Sequence, residues 1–181
     1  MNAPAITLEP DLAAVLVPVF RDLDDQLRVV LIRRTEHGIH GGQIAFPGGR
    51  PERGDGSLIE TALRETHEEI GLTTDRVEIL AHLPRVHTRS SRFDIQPFLG
   101  HVRPPGQWLP SIDEVAEVLT PTIASLAEPG IRRRSQVLPP GWTEPLHVPV
   151  LEPEPGVVIW GATYRILVPL LTPLRDGHWS I

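Results

Sequence analysis

Gly48-Gly49-Arg50-Pro51-Glu52, followed at a distance by Arg64-Glu65-Thr66-His67-Glu68-Glu69-Ile70-Gly71-Leu72, is the stretch on which the fold turns. Its second part falls mostly within a predicted helix, Leu58–Ile70. Ser57 stands at the helix start with Glu60 three residues on, a reciprocal capping pattern, and Gly71 stands where a left-handed residue closes a helix. At about 100° per residue, Glu65 lies between Glu68 on one side and Glu69 on the other. Ile59, Leu63 and Ile70 share a different face, which the pattern docks on a sheet. Three carboxylates at i, i+3 and i+4 repel by roughly 0.2–0.5 kcal/mol per pair on an exposed helix. A divalent cation turns that repulsion into attraction, and oxygen ligands without cysteine suit Mg²⁺ or Mn²⁺. Taken alone, the same residues also read as an acidic face in contact with water.

Working outward, Leu12–Phe20 and Gln26–Ile32 read as strands joined by the polar turn 21–25. Gly38–Gly42 is a glycine-rich loop leading to the apolar run Ile44–Phe46 and the turn Pro47–Gly49. Val77–Leu83 and Asp94–Val102 read as further strands, and Ile112–Leu119 as a turn or short helix. Pro104–Pro110 and Pro139–Pro155 carry too much proline for regular structure. Val157–Trp160 is the last expected strand and Tyr164–Leu174 the last helix, despite Pro169. Strands interspersed with two helices predict a mixed α/β (α+β) layer fold, within one domain over 1–181.

Composition removes several classes of function. The absence of cysteine excludes disulfides, thiolate zinc sites and a cysteine nucleophile. No apolar run reaches bilayer length, and the N-terminus lacks the pattern of a secretory signal, so the expected compartment is the cytoplasm. A net charge of −6 disfavours nucleic acid as a partner, and an anionic small molecule needs a metal or local arginines to reverse the field. Every one of the 17 basic residues is arginine, for which the sequence suggests no mechanism.

Read together, the segments around the helix resemble the Nudix box, G-x5-E-x7-R-E-U-x-E-E-x-G-U with U apolar. The R-E-U-x-E-E-x-G-U half is matched from Arg64 to Leu72, with Thr66 in place of the apolar residue. The early glutamate is missing: Gly56 lies eight residues before Arg64, with Asp55 just before it, and the loop from Gly49 is one residue longer. The resemblance implies a Nudix-type α/β/α sandwich with a mixed sheet. It also implies metal ligation by Gly49, Glu65 and Glu69, with Glu68 a further ligand or the group that handles water. Arg64 would orient the carboxylates.

The flanking segments are similar to the coenzyme A pyrophosphatase branch of that family. Leu31-Ile32-Arg33-Arg34-Thr35, His40-Gly41-Gly42-Gln43-Ile44-Ala45-Phe46-Pro47-Gly48-Gly49 and Thr61-Ala62-Leu63-Arg64-Glu65 carry the likeness. So do 113–118 and 159–163, so that it spans 12–172, with departures at Ile32, His37 and Gly38. The implied reaction splits the coenzyme A diphosphate into a phosphopantetheine and an adenosine bisphosphate. Arg34, Gly42, Gln43 and Arg89 are the implied substrate contacts. Gly41, Gly42 and Gln43 offer backbone amides to a phosphate, or the glycines serve loop shape alone. Arg85, Arg89 and Arg92, and the run Arg132–Arg134, are arginine clusters that meet phosphates or simply face solvent. Glu114 is a candidate metal ligand or base, or merely caps a turn; His40 and His87 lie near the expected site loops.

Rival Nudix substrates are ADP-ribose, nucleotide sugars and dinucleoside polyphosphates. An isopentenyl diphosphate isomerase fails for want of a cysteine. A non-catalytic nucleotide-binding module is disfavoured by the retained Glu65, Glu68 and Glu69.

Overall fold

The apolar run at the start of the chain forms strand β1 (Asp11–Arg21) in the computed structural model, which describes residues 11–36, 41–88, 93–139 and 142–181. One edge of β1 pairs in parallel with β8 (Phe93–Val102), from Asp11 opposite Phe93 to Val19 opposite His101. Its other edge is shared by β2 (Leu27–Val29) near Arg21 and β5 (Gly48–Gly49) near Ala14, both antiparallel. β6 (Val77–His82) and β7 (Val86–His87) pair antiparallel with β8. The sheet is therefore mixed, with order β2-β1-β8-β6 along its main path.

Strand alternation then sorts the two cores. Ala14, Leu16 and Phe20 face helix α1 (Leu58–Ile70) and pack with Ala62, Ile70, Leu72 and Phe98. Val17 and Val19 face the opposite way, toward α2 (Ile123–Ala127) and α3 (Gly161–Arg175), among Ile123, Leu126, Leu167 and Leu171. Helices thus cover both faces in an α/β/α sandwich, with side chains such as Leu16 and Leu167 fully buried. Burying each such side chain contributes about 1.5–3 kcal/mol. No helix among the described residues is long and apolar enough to cross a membrane.

Several expectations need correction. Gln26–Ile32 is not one strand: the chain changes sheets at Val30, whose N–H donates to the Pro18 carbonyl at 2.9 Å. Beyond it, β3 (Leu31–Arg34) joins β4 (Ile44–Ala45) and β9 (Val115–Leu119) in a separate sheet. The end of Ile112–Leu119 is accordingly a strand, because β3 offers it an open edge. The proline-rich 139–155 holds strand β11 (Leu146–Leu151), paired with β10 (Arg132–Val137) in a two-stranded ribbon. Pro149 is tolerated there because a two-stranded ribbon has open outer edges. Val157–Trp160 makes only an isolated bridge between Ile159 and Leu151. The last helix begins three residues earlier than expected, at Gly161, and runs through both Pro169 and Pro173.

Both helix ends are as expected, the Glu60 N–H donating to Ser57 Oγ at 3.2 Å and Gly71 adopting φ 72°, but the Glu60 carboxylate returns to the Gly56 N–H rather than to that of Ser57. Thr66 resolves its own departure from an apolar residue, since it is fully buried and its hydroxyl donates to the Ala62 carbonyl at 2.6 Å. Asp55 ties the preceding loop to the helix. Its carboxylate accepts Arg64 Nε and Nη2, both at 3.0 Å, the Thr61 hydroxyl at 2.9 Å and the Glu52 N–H at 2.9 Å. Gly56, at the position expected to be glutamate, instead donates its N–H to the Glu60 carboxylate at 2.9 Å. The longer loop therefore brings in its carboxylate from one residue earlier.

Arg64 and then the Glu52 amide hold the Asp55 carboxyl well below the usual carboxylate range. A depressed folded-state pKa contributes stability that is present above the unfolded value, about 3.9, and lost as pH falls toward the folded one. Asp55→Asn should lower the melting temperature at pH 7. Its deficit relative to wild type should hold constant down to about pH 5 and shrink below about pH 4. Melting curves across that range check this; a deficit undiminished at pH 3 contradicts the assignment.

Candidate active site

Arg64, held by Asp55, spends its remaining donors on the acidic face of α1. Nη1 donates to Glu68 Oε2 at 2.9 Å, while Nη2 donates to Glu65 Oε1 at 3.1 Å and to the Arg50 carbonyl at 3.0 Å. One planar guanidinium thereby fixes a loop carboxylate, a turn carbonyl and two helix carboxylates, a task that suits its rigid fork of five donors. Glu68 stays more than half exposed, whereas Glu65 is largely covered. Burial pushes the Glu65 carboxyl up, against Arg64, which pulls it down, and the charges of Glu68 and Glu114 push it further.

Glu69 departs from the picture of an exposed acidic face, because only 1% of its side chain reaches solvent. Helical spacing places it beside Thr66 and Ile70 on the sheet side, where Ile59 and Leu63 are only partly buried. The Gly48 N–H donates to its Oε2 at 2.9 Å and Arg34 Nη1 donates to its Oε1 at 3.1 Å. Desolvation raises its carboxyl to about 7, against the opposing pull of the Gly48 amide and Arg34. Gly48 can approach because it has no side chain: at φ 148° an added Cβ would overlap the Ala14 carbonyl of β1. The signal for this contact was the glycine pair itself, although the sequence singled out Gly49 rather than Gly48.

Gly49 lies against Glu65 so closely that a Cβ there would overlap the carboxylate. Among the described residues, no three acidic or histidine side chains converge as a ready-made cage for a metal. Arg64 draws Glu65 and Glu68 toward itself, and Arg34 and Gly48 hold Glu69. The donor set nonetheless fits a hard divalent cation: Glu65 and Glu69 are desolvated and mutually repelling, Glu68 is more than half exposed, and Gly49, without a side chain, brings its backbone against Glu65. These four residues are the ones that would hold Mg²⁺ or Mn²⁺.

The other expected contacts disperse. Glu114 is exposed in a turn closed by its own N–H on the Ser111 carbonyl, and its carbonyl accepts the Thr35 N–H at 3.0 Å. Its charge nevertheless bears on both Glu65 and Glu69. Gly42, at φ 70°, has its N–H 3.2 Å from both the Arg34 and Thr35 carbonyls, so that amide closes the turn rather than facing a phosphate. Gln43 follows it, and its carbonyl accepts the Arg34 N–H at 3.0 Å. Arg85 bonds Gln96 and Asp94, and the run Arg132–Arg134 lies on β10, where Arg133 pairs with Glu152 and Arg134 donates to the His147 carbonyl. The His87 carbonyl accepts Arg165. His40, Arg89 and Arg92 lie outside the described residues.

Comparison with known proteins agrees with this geometry. The NUDIX domain model matches residues 10–139. The Nudix hydrolase NudL of Salmonella paratyphi B, described as uncharacterized, is 35% identical over 162 residues, covering 89% of this chain and 81% of its own. A MutT/nudix family protein from Enterococcus faecalis superposes with a TM-score of 0.60 at 20% identity, over 98% of this chain and 65% of that one. The NUDIX domain of Shewanella oneidensis NrtR, solved with ADP ribose, gives 0.51 at 22% identity, over 68% and 79%. The two structures share the fold, and the domain match takes in β1, the Gly48-Gly49 turn and the whole of the acidic helix. This chain belongs to the Nudix hydrolase family.

Proposed function

We propose that this Nudix hydrolase cuts the diphosphate linkage of coenzyme A or its derivatives, releasing a phosphopantetheine and an adenosine bisphosphate. Diphosphate hydrolysis of a nucleotide-derived substrate follows from the family; the choice of coenzyme A is the reading advanced here. The observation that carries it is the wiring of the β3–β4 hairpin into the acidic site. This hairpin holds the segments most similar to the coenzyme A branch, and its Arg34 bonds Glu69 directly. The Pro47 carbonyl beyond it accepts the Leu16 N–H at 3.0 Å, which anchors the Gly48-Gly49 turn to β1.

In this reading Glu65, Glu69 and Gly49 would hold the cation, and Glu68 would join them on leaving Arg64. When bound, such an ion would supply charge neutralisation and a more acidic water. The chain's own part is positioning. Arg64 keeps Glu65 and Glu68 on one side of the helix, while Gly48 and Arg34 keep Glu69 aligned. Glu68 and Glu114 are exposed carboxylates within reach of water and serve as candidate bases.

Glu69→Gln should reduce turnover by at least about 100-fold. Its melting temperature should stay near that of wild type, because relief from burying a charge offsets the loss of one of the two acceptors that Gly48 and Arg34 use. Steady-state kinetics and calorimetry check both halves; near-normal turnover at saturating Mg²⁺ would remove Glu69 from the metal site.

Coenzyme A should be preferred over ADP-ribose, the ligand of the NrtR neighbour. Specificity constants for coenzyme A, its 3′-dephospho form and ADP-ribose at one fixed metal concentration provide the test. A tenfold advantage for ADP-ribose, about 1.4 kcal/mol of transition-state preference, would overturn the substrate and leave the family intact.

A further inference from the structure

Alternation along β3 gives its two arginines different tasks. Arg34 follows Ile32 toward the α1 core and Glu69, while Arg33 follows Leu31 toward the α3 core. On the Arg33 side lies a cavity of about 370 Å³, within the size range of small-molecule sites. Arg33 and Gln43 form one wall, Ser135 and Val137 of β10 a second, and Val158 and Trp160, just before α3, a third. The third wall lies beyond the residues matched by the family domain, in a part of the chain that the alignment with NudL also takes in.

The lining selects among the parts of a coenzyme A molecule. Arg33 Nε donates to Glu117 at 3.0 Å and its Nη1 to the Gly156 carbonyl at 3.2 Å, so its charge is already engaged within the protein. That arrangement does not suit a second phosphate, which is held best by an unpaired cation. The Gln43 amide and the Ser135 hydroxyl are half-buried, and among the described residues neither side chain has a hydrogen-bond partner. Val137, Val158 and the Trp160 ring supply apolar surface between them. Unused polar groups set among apolar ones match a neutral chain that alternates amides with aliphatic carbon.

We propose that this cavity receives the pantetheine arm of the substrate, an inference that rests on the coenzyme A reading above. The path is short. The Gln43 carbonyl accepts the Arg34 N–H, so the cavity wall and the arginine on Glu69 are hydrogen-bonded neighbours. The two faces belong to one backbone layer, since successive side chains of β3 point to opposite sides of it. An arm with two amide linkages, comparable to three or four extended residues at about 3.5 Å each, is long enough to pass around the β4 edge. The diphosphate then lies at the acidic helix while the arm turns over the edge into the cavity.

Ser135→Trp fills the cavity while keeping the β10–β11 backbone pairing, and Gln43→Leu removes the free amide at nearly constant volume. The expected result for each folded variant is a KM for coenzyme A raised at least about tenfold for Ser135→Trp and about threefold for Gln43→Leu, with kcat little changed. Free pantetheine should bind wild type saturably by titration calorimetry and should fail to bind Ser135→Trp. If Ser135→Trp does not fold, as judged by its melting curve, Gln43→Leu and the pantetheine titration of wild type decide. Unchanged KM in the folded variants, or no pantetheine binding to wild type, overturns the cavity assignment while coenzyme A hydrolysis still stands. A wild type that does not hydrolyse coenzyme A overturns the substrate reading and this assignment together.

Discussion

A buried carboxylate at the junction of helix, turn and hairpin is the constraint around which this molecule is organised. Glu69 is withdrawn from water on the sheet side of α1, and an isolated charge there would be strongly unfavourable. Two neighbours make the position tolerable: the Gly48 N–H on one oxygen and the Arg34 guanidinium on the other. Each imposes a condition of its own. Gly48 must press against the carbonyl of Ala14, which excludes any side chain there, and Arg34 must point toward α1, which sets the register of β3. Removing one partner would leave a poorly compensated acid in the interior, so the turn, the hairpin and the helix dock as a unit.

What could be read from the residues follows from how local each signal is. The N-cap at Ser57, the closing Gly71 and the strand at Leu12–Phe20 depend on neighbours within a few positions, and all are present. The spacing of Glu65, Glu68 and Glu69 was equally legible. Their unequal burial was not, because helical periodicity places the three on adjacent arcs without saying where the sheet lies. Asp55 was visible as an acid one place from the expected glutamate; its bidentate hold on Arg64 depends on the path of a loop. The ribbon β10–β11 was hidden by three consecutive arginines and by prolines. Its stability comes from long-range pairing, which no window of a few residues reports.

The two faces of β3 divide the labour of recognition. On one side, charge dominates: three glutamates and two arginines meet around the Gly48-Gly49 turn. On the other, Arg33 is neutralised by Glu117, and the exposed interior is amide, hydroxyl and hydrocarbon. In the proposed reading, a substrate with a charged centre and a neutral tail would find both within one thickness of sheet. The common fold provides the first, and the second is completed by residues after the domain that the family shares.

The fork of Arg64 has a consequence for alkaline solution. Lysine ammonium groups lose their charge around pH 10.4, whereas a guanidinium stays protonated well beyond pH 12. Asp55 pushes the Arg64 side chain further in that direction. Because all 17 basic residues are arginine, no lysine ammonium is there to be discharged on the way to strongly basic conditions. The Arg64 contacts to Glu65 and Glu68 therefore keep their guanidinium charge through pH 11, whereas Glu69, its carboxyl raised to about 7, gains its full charge only above neutrality. Beyond that titration the arginine framework around the acidic helix is insensitive to hydroxide.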